Sequence, residues 1–254
     1  MKFNPEEFIG KIYKTNSCGD CFVIDAKSST DMTVMFYDGY VAKVYKGNLD
    51  KGKVRNPYFK SNRSLGIYDV KLRHREGILK VQTLWRNILQ RCYMDDFHKR
   101  QPTYSDVNLS EEWFRYTDFE SDILSMENSD RFLNDGWVLD KDGIIIGNKL
   151  YSKETCCFIP KSLNSKISSL MKLEQDDVGY SLLPSGGFRV VVGGEGHIGC
   201  YKTKCEATRA YKYAKAKNIL KSIKSYDGQL SERFVQSIVG YIFTHVPELK
   251  FEDI

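Results

Sequence analysis

Two carboxylates, Asp140 and Asp142, flank Lys141 in the run WVLDKDGIIIGNKLYSKETCCFIP (residues 137–160), and Asn148 follows in a Gly-Asn step. Carboxylate oxygens are hard donors of the kind that hold Mg²⁺ or another divalent cation. Positions i and i+2 of a regular strand share a face, so Asp140 and Asp142 are expected to point the same way. A cation there would stabilise the charge that develops on a phosphodiester during hydrolysis. Asn148 would tie its loop together by bonding to backbone. Asp-Lys-Asp-Gly is also an ordinary hairpin corner, and the chemistry of the residues leaves both readings open.

The elements expected around these residues are a strand at Trp137–Leu139, a turn, a second strand at Ile144–Ile146, and a short helix from Ser152. Upstream, VQTLWRNILQRCYM places Leu84, Ile88 and Cys92 at helical spacing beside Trp85 and Leu89, an apolar stripe. A loop, DDFHKRQPTYSDV, carries His98. A further helix is expected to begin at Ser110 as N-cap, with acids in its first turn. Its aromatics Trp113, Tyr116 and Phe119 read as core.

A second concentration of chemistry lies near the C-terminal end. Residues 201–224 hold eight lysines and arginines against one acid, a local charge of +7 that leaves −2 for the remainder of a +5 chain. A soluble helix tends to mix signs, so this imbalance points to a polyanionic partner. Before it, YSLLPSGGFRVVVGGEGHIGCYKT offers two or three strands separated by glycine turns. Thr203-Lys-Cys-Glu206 is a capping box, and Ala207, Ala210, Tyr211 and Ala214 form the apolar face of the helix that follows. Arg209, Tyr213, Lys217, Lys221 and Lys224 fall together on another face. A last amphipathic helix, with Phe234, Ile238, Tyr241 and Ile242, is expected to pack as a cap.

Residues 1–60 read as a small bent sheet or barrel of short β-prone runs, with Asp38-Gly39 as a hairpin signal. Residues 61–80 read as a polar linker or arm. There Arg63, Lys71, Arg73, His74 and Arg75 would either follow a phosphate backbone or be solvated. The seven cysteines have irregular spacing. Cys18-x-x-Cys21 lacks the second pair that a zinc ribbon needs, so the cysteines read as reduced structural thiols. Apolar runs fall far short of the roughly 18 residues of a membrane span. The first residues, MKFNPEEF, lack an apolar signal core, and a cytoplasmic location is expected.

WRNILQRCY from Trp85, PTYSDVNLSEEWFRYTDF, and the Asp140 run through Cys156 to Pro160 follow one another in an order that resembles a group of bacteriophage HNH-type endonucleases. The resemblance implies a metal-dependent DNA endonuclease of homing or nicking type, working with Mg²⁺ or another divalent cation in the cytoplasm of an infected bacterium. It puts Asp140 in the place of the strand-end metal carboxylate, with help from Asp142, and matches Asn148 to the loop asparagine. Lys141 stands where an HNH finger carries its general-base histidine, and Cys156 near the last metal-binding residue. A lysine is a base at neutral pH only when its pKa is strongly depressed, so Lys141 is expected to contact phosphate, and His98 is the nearest substitute base in sequence. GKVRNPYFKSNRSLG also looks like the leading segment of those phage proteins.

GGFRVVVGG, HIGCYKT and KCEATRAYKYAKAKNI resemble the plant ethylene-response-factor DNA-binding domain, with Gly199, Tyr201, Thr203, Glu206, Ala207, Ala210 and Tyr211 in register. That resemblance implies a three-stranded sheet in the major groove of double-stranded DNA with a helix behind it. Arg189 would face outward to a guanine or a phosphate, with Lys202 flanking the groove. Tyr201, Lys204, Arg209, Lys212, Lys217 and Lys221 complete the expected DNA contacts. The first strand, around Tyr180–Leu183, lacks the Arg and Trp of the plant domains.

The expected fold is thus α+β. A small N-terminal β unit (1–60) and a basic linker (61–80) precede an HNH-like ββα finger with helices (81–175). A three-stranded sheet plus helix (178–227) and a helical cap (228–254) follow. The alternative function is a DNA-binding regulator or occluding factor whose finger does not cut. Double-strand cutting at a two-fold site would favour a homodimer.

Overall fold

The structure, a computed structural model, describes residues 3–37, 39–62, 66–69 and 78–250. Asp38 and the basic positions Arg63, Lys71, Arg73, His74 and Arg75 lie outside them. The protein is mixed α/β with several small sheets. It divides into two compact units, residues 1–100 with 110–121 and residues 101–109 with 122–254.

In the first unit, β1 (Ile12–Lys14), β2 (Asp20–Ser28), β3 (Asp31–Phe36) and β4 (Val41–Val44) form an antiparallel sheet in sequence order. Alternation along β3 buries Met32, Val34 and Phe36 on one face. Cys21, Val23 and Ala26 of β2 join them, with Leu49 of the short helix α1 (Lys46–Asp50). The Val, Leu, Met and Phe side chains among these each contribute about 1.5–3 kcal/mol on full burial. Register shifts within β2 bend the strand, as an extra residue in one partner does. Cys18 and Cys21 are free thiols within this core. A second antiparallel pair, β5 (Lys60–Asn62) and β6 (Gly66–Ile67), follows.

Helix α2 (Ile78–Tyr93) buries Trp85, Ile88, Leu89 and Cys92 of the stripe its spacing predicts, and Leu84 is half-buried. Trp85 Nε1 donates to the Trp113 carbonyl at 2.7 Å, and Trp113, Tyr116 and Phe119 are fully buried core aromatics. Two sequence expectations need correction here. The segment around His98 is not a loop but helix α3 (Asp95–Arg100), with Asp95 and Asp96 in its first turn and His98, Lys99 and Arg100 in its last. That charge order complements the helix dipole. The helix expected from Ser110 begins instead at Tyr116, as α4 (Tyr116–Ser125). Arg115 is extended (φ −95°, ψ 126°) and bridges to Ile67. The cap comes from Asp69, whose Oδ1 accepts from Thr117 N at 3.1 Å. A tertiary contact has displaced the local capping signal.

In the second unit, β7 (Asn108–Leu109), β8 (Val138–Asp140), β9 (Leu150–Tyr151) and β10 (Cys157–Ile159) make two small pairs. β7 runs parallel to β9, and β8 is antiparallel to β10, with Asp140 opposite Cys157. Helix α5 (Ser129–Asn134) stacks Phe132 on Phe158 of β10, with ring centroids 4.9 Å apart. Helix α6 (Lys161–Ile167) completes a β8-β10-α6 order. The positions differ from expectation. Residues 144–146 are bend and turn rather than a strand, and residues 152–155 are bend and turn rather than helix. Thr155 Oγ1 bonds the Leu150 carbonyl at 2.7 Å and lies 3.1 Å from Ser152 Oγ. Such local side-chain bonds compete with helix formation. Pro160 favours an extended Ile159, so the strand ends and the helix starts around it.

β11 (Tyr180–Leu182), β12 (Phe188–Val192) and β13 (Gly196–Tyr201) form an antiparallel sheet in that order. The long helix α7 (Lys204–Lys224) packs on one face, burying Val190, Val192, Ala207 and Tyr211 together. Its capping box is formed: Thr203 Oγ1 accepts from Glu206 N at 3.2 Å, and Glu206 Oε2 from Thr203 N at 3.1 Å. Gly179, at φ +83°, lies against the Tyr211 ring, where a Cβ would come within 1.9 Å of Cγ. Helix α8 (Glu232–His245) fully buries Phe234, Ile238 and Ile242. No helix among the described residues is long and apolar enough to cross a membrane.

Candidate functional site

Asp140 ends β8 with 6% of its surface exposed. Its Oδ2 accepts from Gly143 N at 2.6 Å and from Asp142 N at 3.1 Å. Burial, and then the Asp142 charge, push its pKa up to about 6, against the pull of these two bonds. Asp142 lies past the end of β8 in a bend, its side chain half exposed. The two carboxylates therefore do not share a strand face, because the strand stops at Asp140.

Lys141 is buried. Its Nζ donates to Asp142 Oδ1 at 2.6 Å and to the Asn148 carbonyl at 2.7 Å. Asn148 answers through Nδ2, which donates to the Lys141 carbonyl at 2.8 Å and the Leu150 carbonyl at 2.6 Å, while its Oδ1 accepts from Leu150 N at 3.1 Å. Lys141 and Asn148 thus latch the two ends of the loop in both directions. Phe234 of α8 lies over Gly143, where a Cβ would come within 2.3 Å of its ring and 2.9 Å of Asp140 Oδ2. Cys156 is buried, and burial pushes its thiol up to about 12. Burial raises Cys157 as well, with the Asp140 charge adding to it. Protonated thiols are poor ligands and poor nucleophiles.

This donor set does not fit a divalent cation. One carboxylate oxygen is committed to two backbone N–H groups, and Asp142 and the Asn148 carbonyl are already bridged by an ammonium. Among the described residues, no three His, Cys, Asp or Glu side chains gather to hold a metal. His98 belongs to the first unit, whereas the finger belongs to the second. Its Nε2 lies 2.8 Å from the Arg91 carbonyl, in the last turn of the preceding helix α2.

The C-terminal sheet arranges its charges differently. Along β12, Val190 and Val192 face α7 while Arg189 and Val191 are exposed. Arg189 pairs in register with Ser181 and Cys200, both exposed. Lys202 is exposed just past the end of β13. The sequences of the three strands contain no acid. Tyr201 is opposite Phe188 and packs with the inner core, so it stands on the other face from Arg189.

The helix cations form a separate set, on the element behind the sheet. Lys204 pairs with Asp177 at 3.3 Å, Arg209 with Glu248 at 3.2 Å and Lys221 with Glu195 at 3.9 Å. Lys212 and Lys217 are partly exposed. The eight positions expected to bind DNA are therefore not one surface. Lys215, absent from that expectation, is buried. Its spacing four residues after Tyr211 puts it on the inward stripe, a signal hidden by the surrounding lysines. No family model, curated protein or solved structure matches the chain.

Proposed function

We propose that this chain binds double-stranded DNA through the outer face of its C-terminal sheet, and that its HNH-like finger is a structural lock rather than a cutting centre. The observation that carries this reading is the outward Arg189 on an acid-free sheet, with Lys202 at its end. A guanidinium on a strand can reach a guanine edge bidentately or a phosphate. The finger supports the reading through the Lys141–Asp142 ion pair, which engages a carboxylate that the metal reading assigns to a cation. This makes the chain a regulator or occluding factor on DNA.

A metal-dependent phage-type HNH-like endonuclease, homing or nicking, is the second reading. The adjacency of Asp140 and Asp142 favours it, because their mutual repulsion is what a divalent cation relieves. One experiment separates the two. Labelled duplex is titrated with the full chain across a salt series, and supercoiled plasmid is incubated with Mg²⁺ or Mn²⁺ using wild type and Asp140→Ala. The expected result is salt-sensitive binding, each neutralised phosphate adding about −0.9 to the log–log slope, with plasmid intact under both metals. Cutting that disappears in Asp140→Ala would replace the first reading with the second. Absence of salt-sensitive binding would remove both.

A further inference from the structure

A cavity of about 440 Å³ opens between α6, the β12–β13 turn and α7. That volume is in the range of small-ligand sites. Its wall is mixed: Lys166, Lys215, Ser169 and Asn218 supply polar groups beside the Gly193–Gly194 turn, and Tyr211 and Ile219 supply an apolar side. Lys215 has 8% of its surface exposed. Its Nζ donates to Ser169 Oγ at 2.6 Å and to the Lys166 carbonyl at 3.4 Å, both uncharged acceptors. Lys166 Nζ donates to Ser222 Oγ, again a neutral group. The nearby carboxylate, Glu195, is engaged by Asn218 Nδ2 at 2.7 Å and lies 3.9 Å from Lys221.

A buried ammonium is costly unless its charge is balanced. Burial pushes the Lys215 pKa down, and the charge that adds to this push is Lys172, another cation. The cavity therefore combines excess positive charge with the Ser162 and Ser169 hydroxyls and a glycine turn that lets backbone approach closely. An anion with several acceptor oxygens answers the cationic and polar part of that wall. Lysine serves phosphate as a point charge, and glycine turns present backbone N–H groups to it. An apolar ligand would leave the ammonium unanswered.

We propose that this cavity binds the phosphate group of a small phosphomonoester, of the size of a mononucleotide. The site is independent of the DNA-binding reading, since none of its residues is used there.

The test uses the full chain and three probes at matched ionic strength: inorganic phosphate, adenosine 5′-monophosphate, and chloride as control. Calorimetry and the thermal midpoint are read for wild type, Lys166→Gln and Lys215→Met. Phosphate and the mononucleotide are expected to raise the midpoint where chloride does not, with the mononucleotide binding more tightly. Lys166→Gln and Lys215→Met are each expected to weaken the mononucleotide at least about tenfold. Lys166 is partly exposed, so its variant keeps the test meaningful if Lys215→Met fails to fold. An equal response to phosphate and chloride, or unchanged affinity in Lys166→Gln, overturns the site. Displacement of the mononucleotide by a short duplex at equal phosphate concentration overturns the small-ligand assignment and gives the cavity to the DNA backbone.

Discussion

The finger loop and the C-terminal sheet both carry charges whose types promise phosphate chemistry, and they use them in opposite ways. In the finger the charges close on one another: Asp140 on backbone, Lys141 on Asp142 and Asn148, with Phe234 over the turn. In the sheet, Arg189 stands outward with neutral neighbours on both sides. A charge closed within its own loop is not offered to a partner, whereas one left facing water is free for one. The comparison predicts a dissociation: finger variants should change stability and leave DNA affinity alone, and sheet variants should do the reverse.

The largest effect is expected from Gly143→Ala. The added Cβ would meet the ring of Phe234, itself fully buried, and the Asp140 carboxylate. Overpacking typically costs 1–3 kcal/mol and occasionally more; with ring and carboxylate both fixed, about 3 kcal/mol is expected. Urea unfolding measures it. A loss below about 0.5 kcal/mol would mean that the turn is not locked under α8, and would break the comparison at its stronger end.

Nearly as large is the pH dependence set by Asp140. Its folded-state pKa, about 6, lies above the ordinary carboxylate value, so the folded state holds this proton more tightly than the unfolded chain. Stability from this group is complete below about pH 4 and is lost as pH rises to about 6. A shift of about two units corresponds to roughly 3 kcal/mol. Asp140→Asn should remove that downward trend, read as the difference between wild-type and variant unfolding midpoints from pH 4 to 7. Parallel curves would show that Asp140 is not held in a desolvated place.

How much of this was readable in the sequence follows physical lines. The stripe of α2 and the capping box at Thr203 and Glu206 rest on local periodicity and local bonds, and the structure has both, with Leu84 of the stripe only half-buried; the exposed Arg189 agrees with what the resemblance to the plant domain implied. The start of α4 was misread at Ser110 because its cap, Asp69, comes from 48 residues away. The second finger strand was misplaced because Ile144–Ile146 has strand-like composition, while the Lys141–Asn148 latch closes the loop before a strand can form. His98 looked like a loop residue although the acids and bases around it order a helix. The cover of Phe234 over Gly143 and the burial of Lys215 arise from contacts between distant segments, which no window of sequence contains.

Lys141→Met is expected to cost less. The methionine keeps much of the apolar stem but loses the bonds to Asp142 and to the Asn148 carbonyl. Bonds to charged groups are worth about 1.5–3 kcal/mol each. Asp142 is half exposed and can turn to water, so the net loss should be about 2 kcal/mol. The salt slope of DNA binding should be unchanged. A slope reduced by about one would make Lys141 a phosphate contact and bring the finger onto the DNA surface.

The smallest change in stability, and the sharpest one in binding, is expected from Arg189→Ala. An exposed strand residue with neutral cross-strand neighbours should alter unfolding by no more than about 0.5 kcal/mol. Duplex affinity should fall about tenfold, the scale of a lost base or phosphate contact. Lys217→Ala is the matched control, because it removes one cation from the helix behind the sheet and alters net charge by the same amount. If affinity depends on net charge alone, the two variants will weaken binding equally and share one salt dependence. If the outer sheet face is the contact, Arg189→Ala will weaken it several-fold more than Lys217→Ala at every salt concentration. Fluorescence anisotropy on one duplex, with both variants and wild type side by side, decides between a face and a field.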